Sequence, residues 1–144
     1  MLVKPIRRRE VSRFYGMQNV ETRYFASFLY FPIMNTTVFQ QFADIQTKEI
    51  APGFFSKLIH TANNTINFIE VAAGNSVPDH AHIHEQLSFV LEGTFKLTVN
   101  GEVQVLDASM FAVIPSNVRH SGVAITNCKL IDVFSPVRED YRNL

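Results

Sequence analysis

From Thr47 onward the chain is written in short segments of alternating apolar and polar residues, broken about every 8 to 12 residues by Gly, Asn-Gly or Pro. A period of two puts successive side chains on opposite faces of an extended backbone, so the pattern predicts an all-β fold. Candidate strands are Phe54 to Thr61, Thr65 to Ala72, Gln86 to Leu91, Thr94 to Val99, Glu102 to Leu106, Phe111 to Ile114, Ser121 to Ile125 and Lys129 to Phe134. Asn100-Gly101 joins two of them, and this pair tolerates the positive φ angles of a two-residue hairpin turn. Short strands with no helical period between them favour a sandwich, jelly roll or small barrel over any α/β architecture.

The chain has 144 residues, the size of one ordinary domain, and 47% of them are apolar against 18% charged. That composition excludes a wholly disordered chain, and no apolar run reaches the ~18 to 20 residues of a membrane-spanning helix. A lone cysteine, Cys128, cannot form an internal disulfide, which makes a reducing cytoplasm the expected compartment. It reads as a packed thiol rather than a nucleophile.

Charge is unevenly spread. Residues 1–33 carry six basic groups, including Arg7-Arg8-Arg9, against two acidic ones, leaving seven against eleven for the rest of a chain with 13 of each. The body therefore offers no basic footprint for a phosphate backbone, and no nucleic-acid partner is expected. The chain divides near Met34, giving a basic, aromatic extension at 1–35 and a β domain at 36–144. Three readings of the extension stay open: a segment packing on a neighbouring subunit, a mobile arm, or translated sequence upstream of a start at Met34. Open sheet edges and the aromatic extension lead us to expect a homodimer.

Chemistry concentrates in Asp79-His80-Ala81-His82-Ile83-His84-Glu85-Gln86. On an extended strand His80 and His82 share a face, with His84 and Gln86 following if the strand stays regular. Two imidazoles at i and i+2 can chelate a divalent first-row metal, and a further ligand then comes from a distant strand. His120, after the turn residues Pro115 and Asn117, is the natural candidate. A surface pair of histidines is the plainer alternative. His60 reads as an ordinary strand histidine, and His84 as either a supporting neighbour or a residue at the mouth. Glu85 lies on the opposite strand face from His82. No phosphate-binding loop, dinucleotide fingerprint, zinc cysteine pair or nucleophile elbow is present in the sequence.

At these residues the sequence resembles the cupin superfamily. Its first motif is matched by Gly74, His80, His82, Gln86 and Gly93, with Gln in place of Glu, and its second by Ser109, Pro115, Asn117, His120 and Ala124. Asn117 is a mild departure from Gly, since Asn tolerates a left-handed turn, while Ser109 and Ala124 are real departures that cost no ligand. The resemblance implies a cupin jelly-roll barrel, a double-stranded β-helix, with one divalent ion (Ni, Zn, Mn, Fe or Co) held by His80, His82, Gln86 and His120. An amide in place of a carboxylate leaves the full charge on the ion, which favours Lewis-acid work over iron redox cycling and predicts weaker metal retention.

The stretch Asp132-Val133-Phe134-Ser135-Pro136-Val137-Arg138 resembles the ending of small single-domain cupins of the KdgF type, from pectin degradation. The resemblance implies non-redox conversion of 4,5-unsaturated uronates to linear keto sugars, an isomerase- or lyase-type activity. Asp132 and Arg138 would be catalytic, with Phe134 and Arg138 binding the small-molecule substrate. A plainer reading gives Phe134 to the barrel core and pairs Asp132 with Arg138 structurally. Two rival functions share the same barrel and metal: a non-catalytic ligand-binding or sensor module, and a metal-dependent dioxygenase.

Overall fold

The structure, a computed structural model, describes residues 38–144, so the readings of the basic extension and of the division near Met34 lie outside the described residues. Among the described residues a 3-10 turn at Phe42–Asp44 is followed by ten strands and one short helix. The strands are β1 (Thr47–Ala51), β2 (Phe54–His60), β3 (Thr65–Val71), β4 (Ser76–His80), β5 (Glu85–Glu92), β6 (Phe95–Val99), β7 (Glu102–Leu106), β8 (Phe111–Ile114), β9 (His120–Ala124) and β10 (Cys128–Ser135); α1 is Glu139–Arg142. They form two antiparallel sheets, ordered β1-β2-β3-β10-β5-β8 and β4-β9-β6-β7. This is the jelly roll that the cupin resemblance implied, one of the three all-β architectures left open by the alternation. All eight candidate strands are present; β1, β4 and α1 are additions.

The β6–β7 hairpin turns as its residues dictate: Asn100 and Gly101 have φ of 50° and 82°, and Val99 faces Glu102 across the ladder. Gly93, between β5 and β6, has φ of 85°, and a Cβ there would lie 2.2 Å from the Asn127 carbonyl oxygen, so only glycine fits.

The two sheets enclose a core of Phe54, Ile69, Val90, Phe95, Leu97 and Leu130, among others. Each such side chain contributes about 1.5 to 3 kcal/mol by leaving water. The inner face of the six-stranded sheet is tiered. One cross-strand row is apolar (Ile69, Leu130, Val90), the next polar (Asn67, Asp132, Ser88), and the next runs Thr65, Phe134, Gln86, Ile114. Polar residues in a barrel's interior are costly unless they serve something, and the middle row borders the histidine cluster. Among the described residues no helix is long and apolar enough to cross a membrane.

Candidate metal centre

His80 ends β4, and the strand does not continue. Ala81–His84 form a loop, and β5 begins at Glu85 in the other sheet. The regular strand that would carry His80, His82, His84 and Gln86 on one face is therefore absent, because the chain must cross between sheets at the barrel mouth. The residues meet nonetheless. His80 is the direct ladder partner of His120 on β9, beyond a register shift between Val77 and His80. Asn117 takes φ of 63°, and its N–H donates to the His82 carbonyl at 2.7 Å, tying the β8–β9 turn to the loop that carries His82. The departures from the second motif are absorbed locally. Ser109 N–H and O–H both donate to Asp107 Oδ1, at 2.9 and 2.6 Å, and Ala124 N–H donates to the Asn75 carbonyl at 3.0 Å.

The ring centroids of His80, His82 and His120 lie 4.2, 4.9 and 5.7 Å apart. Each ring places one nitrogen within 4.8 Å of the other two, which positions the three histidines to hold a metal ion. Two bonds of ~2.1 Å span at most about 4.2 Å, so capture needs a closing movement of under about 1 Å.

The tautomers are fixed. Nδ1 of His80, His82 and His120 faces the carbonyl oxygen of Pro78, His84 and Val118 at 2.8, 3.0 and 2.9 Å. A carbonyl can only accept, so each Nδ1 carries hydrogen, and in the neutral ring Nε2 then keeps its lone pair. Burial, then the Arg138 charge, lowers the His82 pKa, and burial also lowers that of His120, keeping both rings neutral and ready to ligate. His120 Nε2 is buried and has no hydrogen-bond partner among the described residues. Gln86 Oε1 lies 3.2 Å from His82 Nε2. That separation is close to the ~3 Å between two ligands at right angles on one ion. The three neutral imidazoles are the donor type that a divalent first-row metal prefers. Gln86 is buried on the inward face of β5 while Glu85 is exposed, as the strand parity predicted.

The cluster forms one wall of a cavity of about 310 Å³ that Asp132, Phe134 and Arg138 also line. Asp132 and Phe134 share the inner face of β10, both buried. Burial raises the Asp132 pKa to about 6, against the lowering effects of Ser88, Gln86 and Arg138. Arg138 does not pair with Asp132. Its Nη2 donates to Asp140 Oδ2 at 2.6 Å, and its guanidinium lies 5.0 Å from the Phe134 ring centre and 4.0 Å from that of Tyr141. Tyr141, on α1, is a cavity residue that the sequence reading left without a role; its only sequence signal was its place just after the Asp132–Arg138 stretch. His84 lies outside the triad, lending its carbonyl to His82 and its ring edge to Phe134 at 6.4 Å. His60 Nδ1 meets Thr65 Oγ1 at 2.9 Å, and buried Cys128 Sγ donates to the Thr94 carbonyl at 3.1 Å, so both have the structural settings expected.

Residues 67–134 match the family model for the cupin domain. Over 105 residues the chain is 30% identical to the pectin degradation protein KdgF of Dickeya dadantii (strain 3937), covering 69% of this chain and 96% of that one. The chain is a KdgF-like cupin. Among solved structures, an RmlC-like cupin from Shewanella frigidimarina NCIMB 400 superposes with a TM-score of 0.69 at 32% identity, covering 74% of this chain and 96% of the other. KdgF from Halomonas sp. gives 0.68 at 28% identity, covering 74% and 99%.

Proposed function

We propose that this cupin binds one divalent metal through His80, His82, Gln86 and His120 and converts 4,5-unsaturated uronates into linear keto sugars without redox change. The observation that carries this reading is Asp132, a buried carboxyl with a pKa raised to about 6, on the same cavity as the three histidines. A group of that pKa is suited to take and return a proton near neutrality. The likeness to a pectin degradation protein supports the substrate class.

A divalent ion held by His80, His82, Gln86 and His120 would supply Lewis acidity to a substrate oxygen. Opening the ring breaks the bond between the anomeric carbon and the ring oxygen, and turns the anomeric hydroxyl into an aldehyde. The ring oxygen becomes an enol that tautomerises to a ketone as the neighbouring alkene carbon gains a proton. One proton leaves and one is delivered, so a single carboxyl, Asp132, serves both transfers. Arg138, lying against the Phe134 and Tyr141 rings with its Nε and Nη2 held by Asp140, offers the remaining edge of its guanidinium to the substrate carboxylate. Phe134 provides an apolar platform.

Metal-loaded protein mixed with unsaturated galacturonate or guluronate loses the ultraviolet absorbance of the alkene, and Asp132→Ala and Arg138→Ala abolish or greatly slow that loss. No turnover by the wild type with any loaded metal contradicts the enzymatic reading in favour of a binding module, and oxygen uptake by the iron form favours a dioxygenase. Exposed Phe111 and Val113 on the edge strand β8, with Phe89 stacked against Phe111, support a homodimer, which sedimentation tests.

A further inference from the structure

Asn67, on β3, is wholly buried, and neither its Nδ2 nor its Oδ1 has a hydrogen-bond partner among the described residues. It stands directly opposite Asp132 in the β3–β10 ladder, and Asp132 Oδ1 is likewise buried and unpartnered. One step diagonally, on β2, Ser56 Oγ completes the set: Leu58 is the ladder partner of Asn67, and Ser56 lies two residues away on the same face. Buried polar atoms without partners are rare in folded proteins, and three neighbouring side chains in that state call for one explanation.

Their chemistry is complementary. A carboxylate oxygen only accepts, an amide offers two N–H donors and a carbonyl, and a hydroxyl both donates and accepts. Directly opposed Cβ atoms in such a ladder are about 4.5 to 5.5 Å apart, and diagonal ones about 7 to 8 Å, within reach of a rotated Asn side chain. Asn67 borders the same cavity as Asp132. Asn67 has 0% of its surface exposed, so bulk water is not the partner.

We infer that Asn67 is a positioning residue for Asp132: its Nδ2–H donates to Asp132 Oδ1, and the Ser56 hydroxyl donates to Asn67 Oδ1 and fixes the amide's orientation. The carboxyl is thereby held in one rotamer against the cavity. This inference rests on the reading of Asp132 as the proton carrier, but the contact can be tested apart from it.

The test has two arms. In metal-free protein the Asn67 side-chain amide signals, read by nitrogen-15 correlation spectra and assigned by their absence from Asn67→Leu, shift in Asp132→Ala and in Ser56→Ala but not in a remote variant such as Ser109→Ala. In the metal-loaded protein Asn67→Leu lowers kcat about ten- to a hundredfold with KM within about twofold, at unchanged metal content, and adds no further loss in an Asp132→Asn background. Should Leu disturb the barrel, Asn67→Ala removes the same polar atoms without the bulk. Amide signals indifferent to Asp132 overturn the contact. Shifted signals with a wild-type kcat in Asn67→Leu overturn the positioning role. Shifted signals in a wild type that turns over no unsaturated uronate uphold the contact and overturn the enzymatic reading alone.

Discussion

His80 and His120 are direct partners in the β4–β9 ladder, with ring centroids 4.2 Å apart. Two histidines forty positions apart in sequence thus meet through one strand pairing, and a slip of one residue would turn the His120 ring to the other face of its sheet. The register is held by the turn before β9, where Asn117 at φ of 63° donates its N–H to the His82 carbonyl.

Replacing Asn117 probes that arrangement. Asn117→Gly keeps the left-handed turn and is expected to leave stability and metal content near wild type. Asn117→Val forces a β-branched residue into the same conformation, costing about 1 to 2 kcal/mol and loosening the metal. Denaturant midpoints and metal content measured on both variants check the pair.

Gln86→Glu restores the carboxylate found at this position of the cupin motif. A negative ligand cancels part of the ion's charge, so metal retention tightens, by on the order of tenfold or more, a tenfold step being about 1.4 kcal/mol. Lewis acidity falls with it, and turnover is expected to drop although more protein is loaded. Competition against a chelator and the alkene absorbance assay read the two effects separately.

Much of this was legible in the chain itself. The strands declared themselves where one face is apolar, as in Phe95–Val99, and the His-x-His pair with His120 pointed to a metal because so few other roles suit that spacing. β1 and β4 were hidden for physical reasons. Both are short strands at sheet edges, and β4 contains Pro78 and Asp79, residues that disfavour a strand by propensity. Ser56, Asn67 and Ser88 face inward where alternation reads polar as outward, because this barrel's interior holds a site rather than only a core. Tyr141 and Asp140 meet Arg138 through a helical turn too short to show a period.

Asp132 imposes a definite pH dependence on the metal-free protein. Its pKa rises from 3.8 to about 6 on folding, so between those values the folded chain binds more protons than the unfolded one, and stability falls as pH rises through the window. Above pH 6 the deficit is constant at up to about 3 kcal/mol, from roughly two pKa units at 1.36 kcal/mol each. Asp132→Asn removes it and is expected to raise Tm at pH 7.5 while differing little near pH 4. His82 and His120 act in the opposite sense: their folded pKa values are lowered, so the stability tied to their neutral rings is lost as pH falls below 6.5. The Asn variant should therefore gain stability steadily with pH from acid to neutral, as melting curves across that range would show.

Arg138→Lys keeps the charge but loses the planar fork that binds Asp140 and lies against the Phe134 and Tyr141 rings. If Arg138 holds the substrate carboxylate equally in the ground and transition states, KM rises about tenfold or more and kcat changes little. Steady-state kinetics on unsaturated uronate give both numbers, and a lowered kcat at unchanged KM would assign Arg138 to the chemical step instead.

The claim on which the rest depends is that imidazoles from β4, the following loop and β9 bind one ion together. Metal analysis of untagged protein, wild type against His120→Ala, tests it most directly. The wild type should hold close to one divalent ion per chain, and His120→Ala, folded by the same circular dichroism spectrum, should hold less than about a tenth of that. Equal metal content in the two proteins would contradict the account.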